Sequence, residues 1–254
     1  MRPYLLIENN WKNLSKDRHD LAVMSWGATE AHNFHLPYGT DLYEADAIST
    51  ESARKTYEKG GKLIVLPPIP FGVNTGQRDI YLDINLNPST QLAIMRDILT
   101  VLNRQGVKKL LLINAHGGND FKPILRELGA EFPEMFLTLC NFFQVLNKKR
   151  YFEEDGDHAD EMETSLMMYL KPELVLPLEQ SGLGKEKQHK VKAIREKWAW
   201  SERRWSEVSE DTGIGNPKKS TNKKGERFFN DLTDKLSELM LDLCTVNNND
   251  LYEP

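Results

Sequence analysis

The run Leu110-Leu111-Leu112-Ile113, bracketed by Lys109 and Asn114, restricts the possible folds of this chain more than any other feature. Four consecutive branched apolar residues have no polar face, so a strand made of them must be covered on both sides. A parallel sheet with helices over both faces meets that condition, whereas a sheet wetted on one face would leave half of the run in water. Three further apolar runs have strand length. Leu21 to Ser25 ends in Trp26-Gly27, Lys62 to Leu66 is stopped by Pro67-Pro68, and Met135 to Phe143 follows later.

Between these runs the apolar spacing becomes helical. Asp41 to Lys59 has helical composition and stops at Gly60-Gly61. Pro88 to Arg104 carries Leu92, Ile94, Met95, Ile98 and Leu102 on its apolar face, with Ser89 and Thr90 near its start and Gly106 after its end. Asn119 to Gly129, Met162 to Leu170 and Arg227 to Leu243 complete the set. Strands alternating with helices predict a three-layer α/β/α sandwich with a mostly parallel central sheet, formed as one domain over residues 1–254. Leu174 to Asn222 departs from the pattern: it is polar, only partly helical in character, and carries Trp198, Trp200 and Trp205. It is expected to form a lid or a subunit contact.

Composition serves mainly to exclude. Of 254 residues 39% are hydrophobic and 28% charged, enough for a sizeable core. A net charge of −5 gives a nucleic-acid surface no support. No stretch approaches the roughly 18 apolar residues of a membrane span, and Met1 to Asn10 lacks the pattern of a secretory signal. Cys140 and Cys244 are far apart and fit a reduced protein. The expectation is a cytoplasmic chain with neither a membrane nor a nucleic acid as partner.

In open parallel sheets, ligands gather beyond the carboxyl ends of the strands. Three polar clusters fall there: Trp26 to His32, Asn114 to Asn119, and Asp157 to Glu163. They contain His32, His116 and His158, with Glu30, Glu161 and Glu163; His35 and Asp41 follow the first cluster. Imidazole with carboxylate is the donor set of zinc, manganese and iron sites. Glu30 and His32 are two apart, so in an extended loop they point the same way and serve one metal or two adjacent ones. Each cluster also has a plain reading: a solvated Glu-x-His, a turn at His116-Gly117-Gly118, or a helix cap at Asp157. Their joint placement at successive strand ends favours a metal site.

Three stretches of the sequence, Gly27 to Asp41 (GATEAHNFHLPYGTD), Asn114 to Asn119 (NAHGGN) and His158 to Ser165 (HADEMETS), resemble the motifs of the creatininase (creatinine amidohydrolase) family. Thr212 to Pro217, followed by Lys224-Gly225, is a fourth match in the family order. The resemblance implies a creatininase-like sandwich with two divalent metal ions, zinc, manganese or iron. It implies hydrolysis of a C–N bond in a cyclic amide or formamide, and a homo-oligomer, typically a hexamer. Carried onto this chain, it gives Glu30 and His116 one metal, His32 the second, and Asp41 the bridge. Creatininase takes the further carboxylate from the second motif, where this chain has Gly118. The resemblance to the family's formamide hydrolases, which take it from the His158 segment, implies Glu161 as the remaining ligand with Glu163 behind it.

Phe71 to Arg78 lacks the histidine many members carry, and Glu153, Glu154 and Asp155 stand where creatininase has a tryptophan. These departures argue against creatinine itself as the substrate. Ala115 and Asp160 replace glycines without removing a ligand, and Asp160 adds a charge near the site that bears on substrate preference. The implied mechanism uses a water activated by two metals, with His158 as acid/base for the leaving group and Glu163 as the next candidate for proton transfer. His35 is expected behind the ligands, and Gly117-Gly118 to let backbone approach substrate. The alternatives are a metal-dependent phosphoesterase, which would want Lys or Arg near the metals, and a non-catalytic metal-binding module on the same scaffold.

Overall fold

The computed structural model describes residues 1–253. Its main sheet has four parallel strands: β1 (Leu21–Trp26), β2 (Leu63–Val65), β3 (Lys109–Asn114) and β4 (Phe136–Asn141), in the order β2-β1-β3-β4. β1 and β3 lie at the centre, paired from Ala22 with Leu110 to Trp26 with Asn114. The leucine run is therefore central and buried on both faces, as its composition requires. Side chains alternate across the sheet, so each strand feeds two cores. Leu21, Val23, Leu111 and Ile113 face one core, while Ala22, Met24, Leu110 and Leu112 face the other.

Among the described residues there are eight α-helical segments: α1 (Trp11–Leu14), α2 (Thr40–Glu58), α3 (Pro88–Arg104), α4 (Phe121–Glu131), α5 (Glu161–Leu170), α6 (Lys192–Arg195), α7 (Trp205–Val208) and α8 (Asn222–Thr245). Ile48 of α2, Leu166 of α5, and Phe228, Leu232 and Leu236 of α8 fill the first core. Met95 and Leu99 of α3 with Phe121, Ile124 and Leu128 of α4 fill the second. This is the three-layer α/β/α sandwich expected. Burying each large apolar side chain contributes roughly 1.5–3 kcal/mol, so the two faces of β3 anchor both layers.

Element limits shift by a few residues from the expected ones. The largest difference is at α8, which begins at Asn222 rather than Arg227 because Thr221 caps it, its side chain accepting from the Lys224 N–H at 3.3 Å. The 174–222 stretch folds as short helical turns over the strand ends, and within it β6 (Ile214–Gly215) pairs antiparallel with β5 (Gly156–His158). Cys140 and Cys244 are free thiols. Among the described residues no helix is long and apolar enough to cross a membrane.

Candidate metal centre

Because β1 and β3 are parallel and in register, the loops that follow them leave the sheet side by side. The loop after β1 carries Glu30 and His32, and the loop after β3 carries His116. Gly27 lets the first loop lie against the start of α2: a Cβ there would fall 2.7 Å from the Leu42 nitrogen and 2.8 Å from the Asp41 carbonyl carbon. Asp41, in the first turn of α2, thereby meets both loops. Glu163 arrives from α5, whose start is set by two devices. Ala159 adopts φ 48°, and Asp160 caps the helix, accepting from the Met162 N–H at 2.9 Å and the Glu163 N–H at 3.1 Å. The cap considered at Asp157 is thus formed by Asp160, while Asp157 pairs with Arg203 at 3.0 Å.

The donor atoms converge tightly. His116 Nδ1 lies 2.9 Å from Glu30 Oε1 and 3.0 Å from Asp41 Oδ2. His32 Nε2 lies 3.0 Å from Asp41 Oδ1, 3.9 Å from Glu30 Oε1 and 4.0 Å from Glu163 Oε2. Asp41 therefore presents one oxygen to each imidazole. Glu30, Asp41 and His116 form one group with donor atoms mutually within 4.8 Å, and His32, Asp41 and Glu163 form another. Donors about 2.1 Å from a tetrahedral ion stand about 3.4 Å from each other, and the observed spacings bracket that value.

Backbone contacts fix which nitrogen of each ring faces inward. His116 Nε2 donates to the Val73 carbonyl at 3.0 Å, leaving Nδ1 toward the cluster. His32 Nδ1 donates to the Glu30 carbonyl at 3.1 Å, leaving Nε2 inward. Rings of metal sites are held in this way by their second nitrogen. Gly118 makes room for the His116 ring, since a Cβ there would collide with that ring and with the Val73 carbonyl.

The electrostatics call for cations. Burial raises Asp41 and Glu30, but the neighbouring imidazoles outweigh it and hold both carboxyls low. Burial pulls His32 down, yet Asp41, Glu163 and Glu30 push it up to about 10. Burial, with Asp160 and Asp41 adding to it, pushes Glu163 up to about 8. Glu30 Oε1 and Asp41 Oδ2 are buried without a hydrogen bond of good geometry. Carboxylates with orphaned oxygens, facing imidazoles whose outer nitrogens are held by backbone carbonyls, fit divalent ions of the His/carboxylate type, which would take the place of the ring protons.

His158 reaches the same place from β5. Its Nε2 donates to the Ala31 carbonyl at 2.9 Å, and its Nδ1 stands 3.8 Å from Glu30 Oε1. It forms a third possible donor group with Glu30 and His32. Burial, and next His32, lower its pKa, so it is a neutral base with a free nitrogen facing the cluster.

Glu161 is not brought to the cluster, which corrects the ligand expected there. Its carboxylate is fully buried on another side of α5, where it accepts from the Glu153 and Glu154 N–H groups, each at 2.8 Å, and from the Lys224 ammonium. His35 also stays outside, its Nε2 2.9 Å from the Thr164 hydroxyl.

Three further contributors carry no local signal in the sequence that ties them to these ligands, although Trp205 belongs to the expected lid or contact segment. Gln77 donates to Glu30 Oε2 from the Thr75–Gln77 turn. Glu44, one helical turn after Asp41, is fully buried with both oxygens unpartnered, and burial, with Glu163 and Asp41 adding to it, raises its carboxyl well above the usual range. Trp205 of α7 stacks near His158 with ring centroids 4.6 Å apart, and the Arg203 guanidinium lies 4.8 Å from the tryptophan ring.

The whole chain superposes on a Bacteroides fragilis protein assigned as a creatinine amidohydrolase, with 40% identity, a TM-score of 0.92 and all of both chains covered. A creatininase structure named for manganese shares the fold at 20% identity, with a TM-score of 0.76 over 93% of this chain and 97% of that one. A mycofactocin precursor peptide peptidase of Mycobacterium ulcerans is 27% identical over 163 residues, which span 59% of this chain and 58% of that protein. The sequence profile described as creatinine amidohydrolase matches residues 8–240, and the chain belongs to the creatininase family.

Proposed function

We propose that this protein is a metal-dependent amidohydrolase that uses two divalent ions to cleave a C–N bond in a cyclic amide or formamide. The observation that carries the proposal is Asp41, whose two oxygens each face a different imidazole, as a bridging carboxylate requires. In this reading Glu30, His116 and Asp41 Oδ2 hold one ion, and His32, Asp41 Oδ1 and Glu163 hold the other. Glu163 takes the place expected of Glu161. Zinc, manganese and iron all suit such donors.

Bound ions would polarise the amide carbonyl and bring an attacking water toward ionisation near neutral pH. The chain supplies the rest. His158, neutral and with Nδ1 toward the cluster, takes a proton there and returns it to the leaving nitrogen. Trp205 closes over His158 and, with the cluster residues almost fully buried, keeps bulk water from the reacting groups. Residues 174–222 act as the lid of a single domain. The names of its relatives, one acting on creatinine and one on a precursor peptide, support an amide as the small-molecule substrate.

The exposed Trp198 and Trp200 support assembly into a homo-oligomer; the family resemblance makes a hexamer the expected size, and a cytoplasmic location remains part of the proposal. Nothing in the net charge of −5 favours a nucleic-acid partner. The test is a hydrolysis screen of the metal-loaded protein over lactams, cyclic ureides, formamides and short peptides. Turnover of one class supports the reading, and metal-loaded protein that cleaves none contradicts it.

A further inference from the structure

Asp83 stands outside the donor set yet is tied to it through a single peptide. Its Oδ1 accepts from the Ala31 N–H at 2.7 Å. That N–H belongs to the Glu30–Ala31 peptide, whose carbonyl accepts from His32 Nδ1 at 3.1 Å. The other nitrogen of the same ring, Nε2, is the one 3.0 Å from Asp41. A peptide is a rigid plane with N–H and C=O on opposite sides, so holding the N–H direction also holds the direction of the carbonyl.

The chain around Asp83 is built to present it there. Leu82 adopts φ 62°, a conformation bulky residues rarely take, while its side chain is 66% exposed and gains little packing in return. Strained backbone of this kind clusters at functional sites. Immediately after Asp83, the Ile84 N–H donates to the Thr29 carbonyl at 3.0 Å. The Asn74 side chain spans the same two strands of chain, donating to the Thr29 carbonyl at 3.4 Å and the Ile84 carbonyl at 3.2 Å. The loop carrying Asp83 is thus stitched to the loop carrying Glu30 and His32 at the Thr29–Ile84 pair, next to the Ala31 contact.

We propose that Asp83 is a positioning residue for the metal centre, orienting His32 through the Glu30–Ala31 peptide so that Nδ1 keeps its proton and Nε2 is free for an ion. The proposal rests on the two-ion reading of the site. An oxygen acceptor suffices for this role, whether or not the carboxyl is ionised. Asn can supply that acceptor and Ala cannot. Asp83 thus acts on one ion of the two, since His32 serves only one of the donor groups built on Asp41.

The experiment titrates Mn²⁺ alone into metal-free wild type, Asp83→Ala and Asp83→Asn by calorimetry, and records the Tm of each metal-free protein. Outer partners of metal-bound histidines typically contribute 10–100-fold to affinity. Asp83→Ala is expected to weaken one of two Mn²⁺ binding steps by about 10–100-fold and leave the other within about threefold. Asp83→Asn is expected to recover the weakened step to within about threefold of wild type. Wild type that binds two ions while Asp83→Ala binds both unchanged overturns the inference alone. So does an equal weakening of both steps, or an Asp83→Asn as weak as Asp83→Ala. Wild type that takes up no Mn²⁺ overturns the two-ion reading itself, and this inference with it.

Discussion

Glu161 and Glu163 stand two positions apart in the first turn of α5, and a helix turns about 200° between such positions. One carboxylate therefore faces α8 and Lys224 while the other faces His32. Their substitutions should separate cleanly. Glu161→Gln should lower stability by about 1–3 kcal/mol, because it weakens a buried ion pair, and leave metal content unchanged. Glu163→Gln should cost the protein one of its two ions, with the Tm of the metal-free form little altered. Elemental analysis and thermal melts on the two variants check this, and a Glu161→Gln that loses metal contradicts it. The sequence makes the pair legible as candidates, but the resemblance points to Glu161 where the structure brings Glu163 to His32, since both lie in one helical turn and the choice depends on which face α8 covers. Glu30, His32, Asp41 and His116 were legible because strand ends in a parallel sheet point loops to one edge. The contacts of Gln77, Asp83 and Trp205 with the cluster were not, because a lone polar or aromatic residue, even one in the expected lid segment like Trp205, says nothing about which distant segment it touches.

His35 offers a pH test at the same scale. Burial lowers its pKa to about 4, with Lys218 adding to the effect, so the fold prefers the neutral ring. The unfolded chain binds the extra proton near pH 6.5, so stability is fully present above that pH and falls as pH drops toward about 4. The loss attributable to His35 is on the order of 3 kcal/mol. Denaturant melts of metal-free wild type and His35→Gln across this window should show a shallower slope for the variant, and parallel slopes contradict the assignment.

At the scale of elements, the order and kind of the main strands and helices follow from apolar periodicity alone. The Leu110 to Ile113 run admits only a sheet covered on both faces, and the helical spacings supply the covers. The 174–222 segment is different, because its short turns take their places from partners elsewhere. Ser206 bonds Asp79, Thr75 bonds Glu202, and Arg203 bonds Asp157. None of these pairs has a local signature. Together they hold α7 over the Thr75–Gln77 turn and β5, so that Trp205 caps His158. The cap predicts that Trp205→Ala retains its metal and fold but lowers kcat/KM roughly 2–10-fold, the value of one aromatic contact. Steady-state kinetics with metal analysis checks this. A wild-type kcat/KM in the variant removes the lid role.

For the whole molecule, the layered sandwich has one consequence that governs the rest: two central strands deliver two loops to the start of α2, where one carboxylate can serve both. Everything proposed about catalysis depends on that shared position. In the proposed two-ion site, Asp41 as a bridging residue would contribute to both ions and His32 to one. The decisive measurement is the number of divalent ions per chain, by elemental analysis of protein stripped and then reloaded with zinc or manganese, in wild type, Asp41→Ala and His32→Ala. The account predicts two ions in wild type, a larger loss in Asp41→Ala than in His32→Ala, and retained folding in both variants. Wild type that binds no metal after reloading, or Asp41→Ala that keeps both ions, would contradict it.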